Sequence, residues 1–161
     1  MTADQAAAHN AEARLAELGL TLPEVSPPLA AYVHAVRTGR YVYTAGQLPI
    51  VDGELTITGK VGAEVAIPEA AAAARICALN AVAAVASVAG GLAGIRRIVK
   101  VTGFVASVPD FTDQAQVING ASELLIDLFG DAGRHARSAV GMAVLPRNTP
   151  VEVELIAEVD G

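Results

Sequence analysis

Arg137 heads an apolar run, Arg-Ser-Ala-Val-Gly-Met-Ala-Val-Leu-Pro, that ends at Pro146, and Glu152 heads the next, which closes at Val159. A guanidinium is always charged and presents a planar fork that matches a carboxylate. An arginine entering an apolar strand therefore implies an anion held beside a sheet, and Glu152 offers a base of the right class nearby. The competing reading is a solvated arginine that merely ends a strand. Tyr32, Gly46 and Asn119 also sit at the ends or along the rims of apolar elements, where a pocket would form.

Other chemistries find no support in the spacing. His9, His34 and His135 are scattered and Cys77 is the single cysteine, so no metal cluster is expected. Gly90, Gly91 and Gly94 follow a helical run rather than a strand, which makes them a turn and not a phosphate loop. A Ser-His-Asp triad has no nucleophile elbow to carry it. Cys77, set between Ile76 and Leu79 in mid-helix, reads as a buried inert thiol. His34 and His135 read as structural or exposed.

The elements that must position these residues follow from periodicity and breakers. Residues 6–18 form a short amphipathic helix with Leu15 and Leu18 on one face, stopped at Gly19. Pro23, Pro27 and Pro28 make the stretch after it an extended linker. Strands are expected over residues 32–36 and 40–46 around Thr38-Gly39, with a further turn at Asp52-Gly53. The first main helix begins at Pro68 and stops before Gly90-Gly91. A β-rich stretch covers residues 95–108. The second helix is capped by Asp110, has Asp113 in its first turn and runs to about Phe129, with Val117, Leu124, Leu125 and Leu128 on its core face. Two strands close the chain, the last alternating between Val151, Val153, Leu155 and the glutamates Glu152 and Glu154. The result is an α+β (α/β-like) single domain, a mixed sheet with two main helices on one face, divided into an N-terminal helix and linker (1–27) and the main body (28–161).

Bulk properties narrow the partners. At 161 residues the chain is one ordinary domain, and 53% hydrophobic residues with a mean hydropathy of +0.46 suggest that surface is shared between subunits. A formal net charge of −6 and no cluster of bases beyond Arg96, Arg97 and Lys100 disfavour nucleic acid. The N-terminus lacks a basic start followed by an apolar run, and one cysteine suits a reducing compartment, so a cytoplasmic location is expected. Residues 70–89 are long and apolar, but Arg75, Asn80 and Ser87 interrupt them, and a buried helix is expected rather than a membrane span.

The chain resembles the reactive intermediate deaminase family, RidA (also called YjgF, with members known as endoribonuclease L-PSP or translation inhibitor). The resemblance runs from about Pro28 to Val159. It is carried by Ala31-Tyr32-Val33, Thr44-Ala45-Gly46-Gln47-Leu48-Pro49, Val99-Lys100-Val101-Thr102, Phe104-Val105, Asp110-Phe111, Asn119 and Glu123. Most specific are Ala136-Arg137-Ser138-Ala139-Val140, Leu145-Pro146 and Val151-Glu152-Val153-Glu154. Ala139 stands where many members have cysteine and Ser122 where an aromatic is common. The N-terminal helix and the Gly130–His135 segment are longer than in short members.

The resemblance implies a chorismate-mutase-like fold and a homotrimer with a pocket at each subunit interface. The implied activity is hydrolysis of 2-imino acids to 2-oxo acids and ammonia, with no metal or organic cofactor. Arg137 matches the arginine that binds the substrate carboxylate, and Glu152 the glutamate that positions water. Tyr32, Gly46, Asn119 and the Ala139 backbone match pocket-lining positions. If Arg137 and Glu152 begin antiparallel strands of roughly eight residues at about 3.3 Å each, they lie on the order of 25 Å apart within one subunit and share a pocket only across a boundary. Alternatives are a non-catalytic binder of 2-oxo acids or related carboxylates, an RNA-cleaving or translation-inhibiting protein, and, more weakly, a chorismate mutase.

Overall fold

The clean alternation of residues 151–159 organises the molecule. In the computed structural model, which describes residues 11–25 and 31–161, this segment is strand β7 (Val151–Val159). Val151, Val153, Leu155, Ala157 and Val159 are buried, while the residues between them are only half-buried on the other face. One face of the sheet therefore carries the core.

Among the described residues six further strands precede it: β1 (Ala35–Thr38), β2 (Tyr41–Thr44), β3 (Ile50–Val51), β4 (Glu54–Leu55), β5 (Ile95–Ala106) and β6 (Ala136–Met142). The main sheet has the order β1-β2-β7-β5-β6, antiparallel throughout except for the parallel pair β5–β6. The mixed α+β architecture is the one the sequence leads to. The parallel pair requires a crossover, which α3 (Gln114–Phe129) supplies. The register of β5 on β7 slips twice, between Ile95 and Arg97 and between Ile98 and Lys100, so the core-facing positions step from Ile95 to Ile98 to Val101 before alternation resumes toward Val105.

Helix α2 (Ile67–Ala89) begins as expected, with proline in its first turn, and the Glu69 carboxylate accepts a hydrogen bond from the Ala66 backbone N–H at 2.9 Å. It ends at Gly90, whose φ of 79° is the left-handed conformation a helix stop demands. By length and composition α2 could cross a membrane, but its alanine-rich stripe packs against β7, β2 and α3. At the crossing of the two helices Gly120 lies against the Ala71 carbonyl, where a β-carbon would sit 2.7 Å from the carbonyl carbon. Gly103 on β5 does the same for Ile118 of α3.

Several boundaries differ from the sequence reading: the second strand covers Tyr41–Thr44 rather than residues 40–46, and β5 stops at Ala106 rather than residue 108. The first strand starts at Ala35 rather than residue 32, because the tight turn at Gly39-Arg40 fixes Thr38 opposite Tyr41 and the pairing is counted back from there. Helix α3 starts at Gln114, not after Asp110: residues 108–111 close a turn of their own, with Phe111 N–H donating to Val108 O, and Asp113 takes the N-cap position without a side-chain cap bond. Around Asp52 (φ 51°) and Gly53 (φ 84°) the chain makes a short hairpin, β3–β4, where only a turn was expected.

The N-terminal helix, α1, is described over residues 11–17. Ala11 and Leu15 join the main core, whereas Leu18, expected on the same face, is exposed because it falls in the turn after the helix ends. Pro27 and Pro28 of the expected linker, and His9, lie outside the described residues.

The other sheet face is open. Val36, Tyr43 and Ile156 form one row across it, and Val140, Phe104 and Glu152 another. Val36, Tyr41, Tyr43, Val140 and Met142 are exposed there, with β6 an edge strand.

Candidate active site

The residues singled out in the sequence fall into two clusters. The first surrounds Arg137, near the start of edge strand β6. Arg137 lies opposite Val101 of β5, whose side chain is in the core, so the arginine projects to the helix side of the sheet. There it meets α3. Its Nη1 donates to Asn119 Oδ1 at 2.9 Å and to Ser122 Oγ at 3.1 Å, and Nη2 donates to the Ala115 carbonyl at a long 3.4 Å.

A guanidinium has five N–H donors. Both on Nη1 and one on Nη2 are engaged, leaving Nε–H and the second Nη2 hydrogen without a partner among the described residues. An arginine so tethered by neutral acceptors keeps its full charge and two donors for an anion. The solvated strand-end reading does not describe it.

His135 completes this cluster. Its Nδ1 is 2.6 Å from the Gly133 carbonyl and its Nε2 is 3.0 Å from Ser122 Oγ. Burial lowers its pKa from the usual 6.5; the Gly133 hydrogen bond acts in the opposite direction and the Arg137 charge adds to the lowering. The sequence reading left His135 as structural or exposed and saw Ser122 only as a departure. The legible signal was the spacing of Ala115, Asn119 and Ser122, which places all three on one helix face.

The second cluster lies where β2 meets β7. Gln47 and Val153 exchange backbone hydrogen bonds, Gln47 N–H to Val153 O at 2.8 Å and Val153 N–H to Gln47 O at 3.0 Å. This pins the Gly46 backbone beside Glu152. A β-carbon at Gly46 would overlap Glu152 Oε1 and stand 2.7 Å from its Cδ, so glycine there makes room for the carboxylate. Burial raises the Glu152 pKa above the ordinary 4.5, and the neighbouring Glu154 charge raises it further. Tyr32 is exposed and makes an edge-on ring contact with His34, centroids 5.8 Å apart. The Gln47 amide donates to Ala45 O at 3.1 Å and lies 3.3 Å from His34 Nδ1, while His34 Nε2 is buried with no hydrogen-bond partner among the described residues.

Arg137 and Glu152 are not brought together. Strand β5 lies between their strands, and Arg137 is level with Leu155 through Val101. The offset to Glu152 is thus three residues along and two strands across, about 10 Å in each direction. This is shorter than the roughly 25 Å expected from two antiparallel strands of about eight residues, because Arg137 is level with the middle of β7 rather than its far end. The decisive point is direction: Arg137 shares the helix face with Val101, while Glu152 lies on the open face between buried Val151 and Val153. Ala139, opposite Gly103, packs against the core beside the arginine cluster.

Other features add no competing centre. No group of His, Cys, Asp and Glu able to hold a metal occurs among the described residues. Cys77 is fully buried 3.7 Å from the Val151 carbonyl, and burial with the Glu152 charge pushes its thiol well above the usual range. A groove of about 150 Å³ on the open face is lined by Tyr43, Lys100, Thr102 and Glu154 and includes neither Arg137 nor Glu152.

Comparison with known proteins gives a consistent picture. The family described as "YjgF/chorismate_mutase-like, putative endoribonuclease" matches residues 12–159. Protein TCP17 of Trypanosoma cruzi is 42% identical over 149 residues, covering 92% of this chain and 93% of its own. The crystal structure of Atu1372 from Agrobacterium tumefaciens, a protein of unknown function, is 48% identical and superposes with a TM-score of 0.88 over 97% of this chain and 96% of that one. E. coli TdcF, solved with bound serine, is 27% identical, with a TM-score of 0.58 over 86% of this chain and 93% of that one.

Proposed function

Because the chain belongs to the YjgF/chorismate-mutase-like family, we propose that it is a hydrolase that converts reactive 2-imino (enamine) acids to 2-oxo acids and ammonia. The single observation that carries this reading is Arg137, braced by Asn119 and Ser122 and left with two N–H donors that no described residue engages. The serine bound in the related TdcF structure is a ligand of the same class, an α-substituted small carboxylate.

The chemistry asks little of the protein. An imine carbon is already electrophilic, and fixing the carboxylate fixes the adjacent C=N bond. Water held by Glu152 adds to that carbon, the C=N π electrons move to nitrogen, and the glutamate accepts the water proton. The glutamic acid returns that proton to nitrogen, giving a carbinolamine; its hydroxyl proton then passes through Glu152 to nitrogen as the C–N bond breaks, releasing ammonia and the 2-oxo acid. A carboxylate with a raised pKa is a stronger base than an ordinary one, which suits this role. Gly46 lies against Glu152 and Tyr32 belongs to the same cluster, while the Ala139 backbone lies on the Arg137 side and would line the pocket from that subunit.

Arg137 and Glu152 face opposite sides of one sheet, so the working site is composite, formed by Arg137 of one subunit and Glu152 of its neighbour in a homotrimer. The exposed apolar rows of the open face and the bare edge of β6 supply surface that such an assembly covers. An RNA-cleaving role has weaker support. The densest basic group is already engaged: Arg96 pairs with Asp160, Arg97 donates to Asp131 O and Lys100 donates to Ser138 Oγ.

The test is 2-oxo acid release from an imino acid generated in situ by an amino-acid oxidase. Acceleration by the wild type that falls by about 100-fold in Arg137→Ala is expected for loss of a charged bidentate contact. A folded oligomer that accelerates nothing across several amino acids, yet binds 2-oxo acids through Arg137, is instead a carboxylate-binding protein.

A further inference from the structure

Resting on the carboxylate-binding reading of Arg137, we propose that Ser122 and His135 are positioning residues that lock the guanidinium with its two unengaged N–H donors left for the ligand. Hydrogen-bond polarity fixes the arrangement. The Gly133 carbonyl can only accept, so the proton on His135 resides on Nδ1, 2.6 Å away. In the neutral ring Nε2 is then an acceptor, and the Ser122 hydroxyl, 3.0 Å away, donates to it. That turns the oxygen lone pairs of Ser122 toward Arg137 Nη1 at 3.1 Å. Each link has one consistent direction: Arg137 to Ser122, Ser122 to His135, His135 to Gly133.

A helical serine left to itself turns its hydroxyl to a carbonyl of the preceding turn. His135 supplies a competing acceptor and holds the hydroxyl in one rotamer. The arginine is thereby clamped on both Nη1 hydrogens, by Asn119 from one side and Ser122 from the other. The lowered pKa of His135 keeps the ring in the neutral form that the chain of bonds requires. Neither residue reaches the ligand; both act through Arg137. Ser122 and His135 act as a pair, since each supplies what the other needs.

Two readouts on the intact protein test this. Nitrogen NMR at pH 8 reports the His135 tautomer and the rotation of the Arg137 guanidinium. The Nδ1–H tautomer with slow rotation is expected in the wild type, and faster rotation in Ser122→Ala. Calorimetric titration with pyruvate reports those donors: Ser122→Ala and His135→Leu each weaken binding about three- to tenfold, the loss of one neutral hydrogen bond. The double variant is no weaker than the worse single one, and His135→Gln, which returns an acceptor to Ser122, recovers to within about twofold. In turnover these variants raise KM and leave kcat nearly unchanged. An Nε2–H tautomer, unchanged guanidinium rotation in Ser122→Ala, or additive losses in the double variant overturns the proposal. If the wild type binds no pyruvate, the carboxylate reading itself fails, and the NMR arm alone still decides whether Ser122 and His135 hold the arginine.

Discussion

Arg137 and Glu152 occupy opposite faces of one five-stranded sheet, with strand β5 between their strands. The arginine is tied to helix α3, and the glutamate lies over Gly46 on the face that none of the described helices covers. No side-chain rotation within one chain joins them, because the sheet itself is in the way.

This relationship makes complementation the sharpest check on a composite site. Arg137→Ala and Glu152→Gln should each lose nearly all imine hydrolysis as homogeneous proteins, about 100-fold for the arginine variant. Unfolding and refolding the two together should restore about one quarter of wild-type activity, the share of interfaces that pair an intact arginine with an intact glutamate by random assortment. Recovery is read by 2-oxo acid release after mixing. Activity that stays at the level of the separate variants, with mixed oligomers present by mass spectrometry, places both residues in one subunit's site.

How much of this was legible in the sequence depends on how local the signal was. The alternation of residues 151–159 and the stop at Gly90 are written in a few consecutive residues, and both appear where expected. The start of β1 was missed because strand limits are set by pairing through the Gly39 turn, not by β-propensity around Tyr32. The register that sets Arg137 level with Leu155, in the middle of β7, is a property of the whole topology, so the distance from Arg137 to Glu152 came out too long. Ser122 and His135 escaped notice for a related reason. A serine and a histidine 13 residues apart become partners only when the α3–β6 connection folds back on the helix.

Gly46→Ala should leave the fold intact and disturb Glu152. The added carbon overlaps Oε1, the end of a flexible side chain that can swing aside, while the backbone is free of such overlap. The expected result is a drop in kcat of about tenfold or more for a misplaced base, with the thermal midpoint little changed. An unchanged kcat means that the position of Glu152 does not matter to the reaction.

The raised pKa of Glu152 has a stability consequence of definite sign. The folded protein holds this proton more tightly than the unfolded chain, so the associated stability is complete below about pH 4.5 and is lost as pH rises through the folded-state value. Glu152→Gln should therefore raise the thermal midpoint at pH 7 relative to wild type, and the difference should vanish toward pH 4. Activity of the wild type should fall over the same interval as the base becomes protonated, with an inflection above 4.5. A variant less stable than wild type at pH 7 contradicts the burial and Glu154 repulsion assigned to this carboxyl.

Gly120→Ala links the packing of the fold to the arginine. In an exposed helix the change would stabilise by about 1 kcal/mol through propensity. Here the new β-carbon meets the Ala71 backbone, 2.7 Å from its carbonyl carbon, and backbone at a helix crossing cannot step aside locally. Helices α2 and α3 must separate, at a cost of about 1–3 kcal/mol for overpacking. Asn119 precedes Gly120 and holds Arg137 Nη1 at 2.9 Å, so the same displacement loosens the arginine. Chemical denaturation should show the lower stability, and pyruvate titration a weaker affinity in the same variant. A stabilised Gly120→Ala protein with wild-type affinity would mean that the crossing has slack and that the arginine is held independently of it.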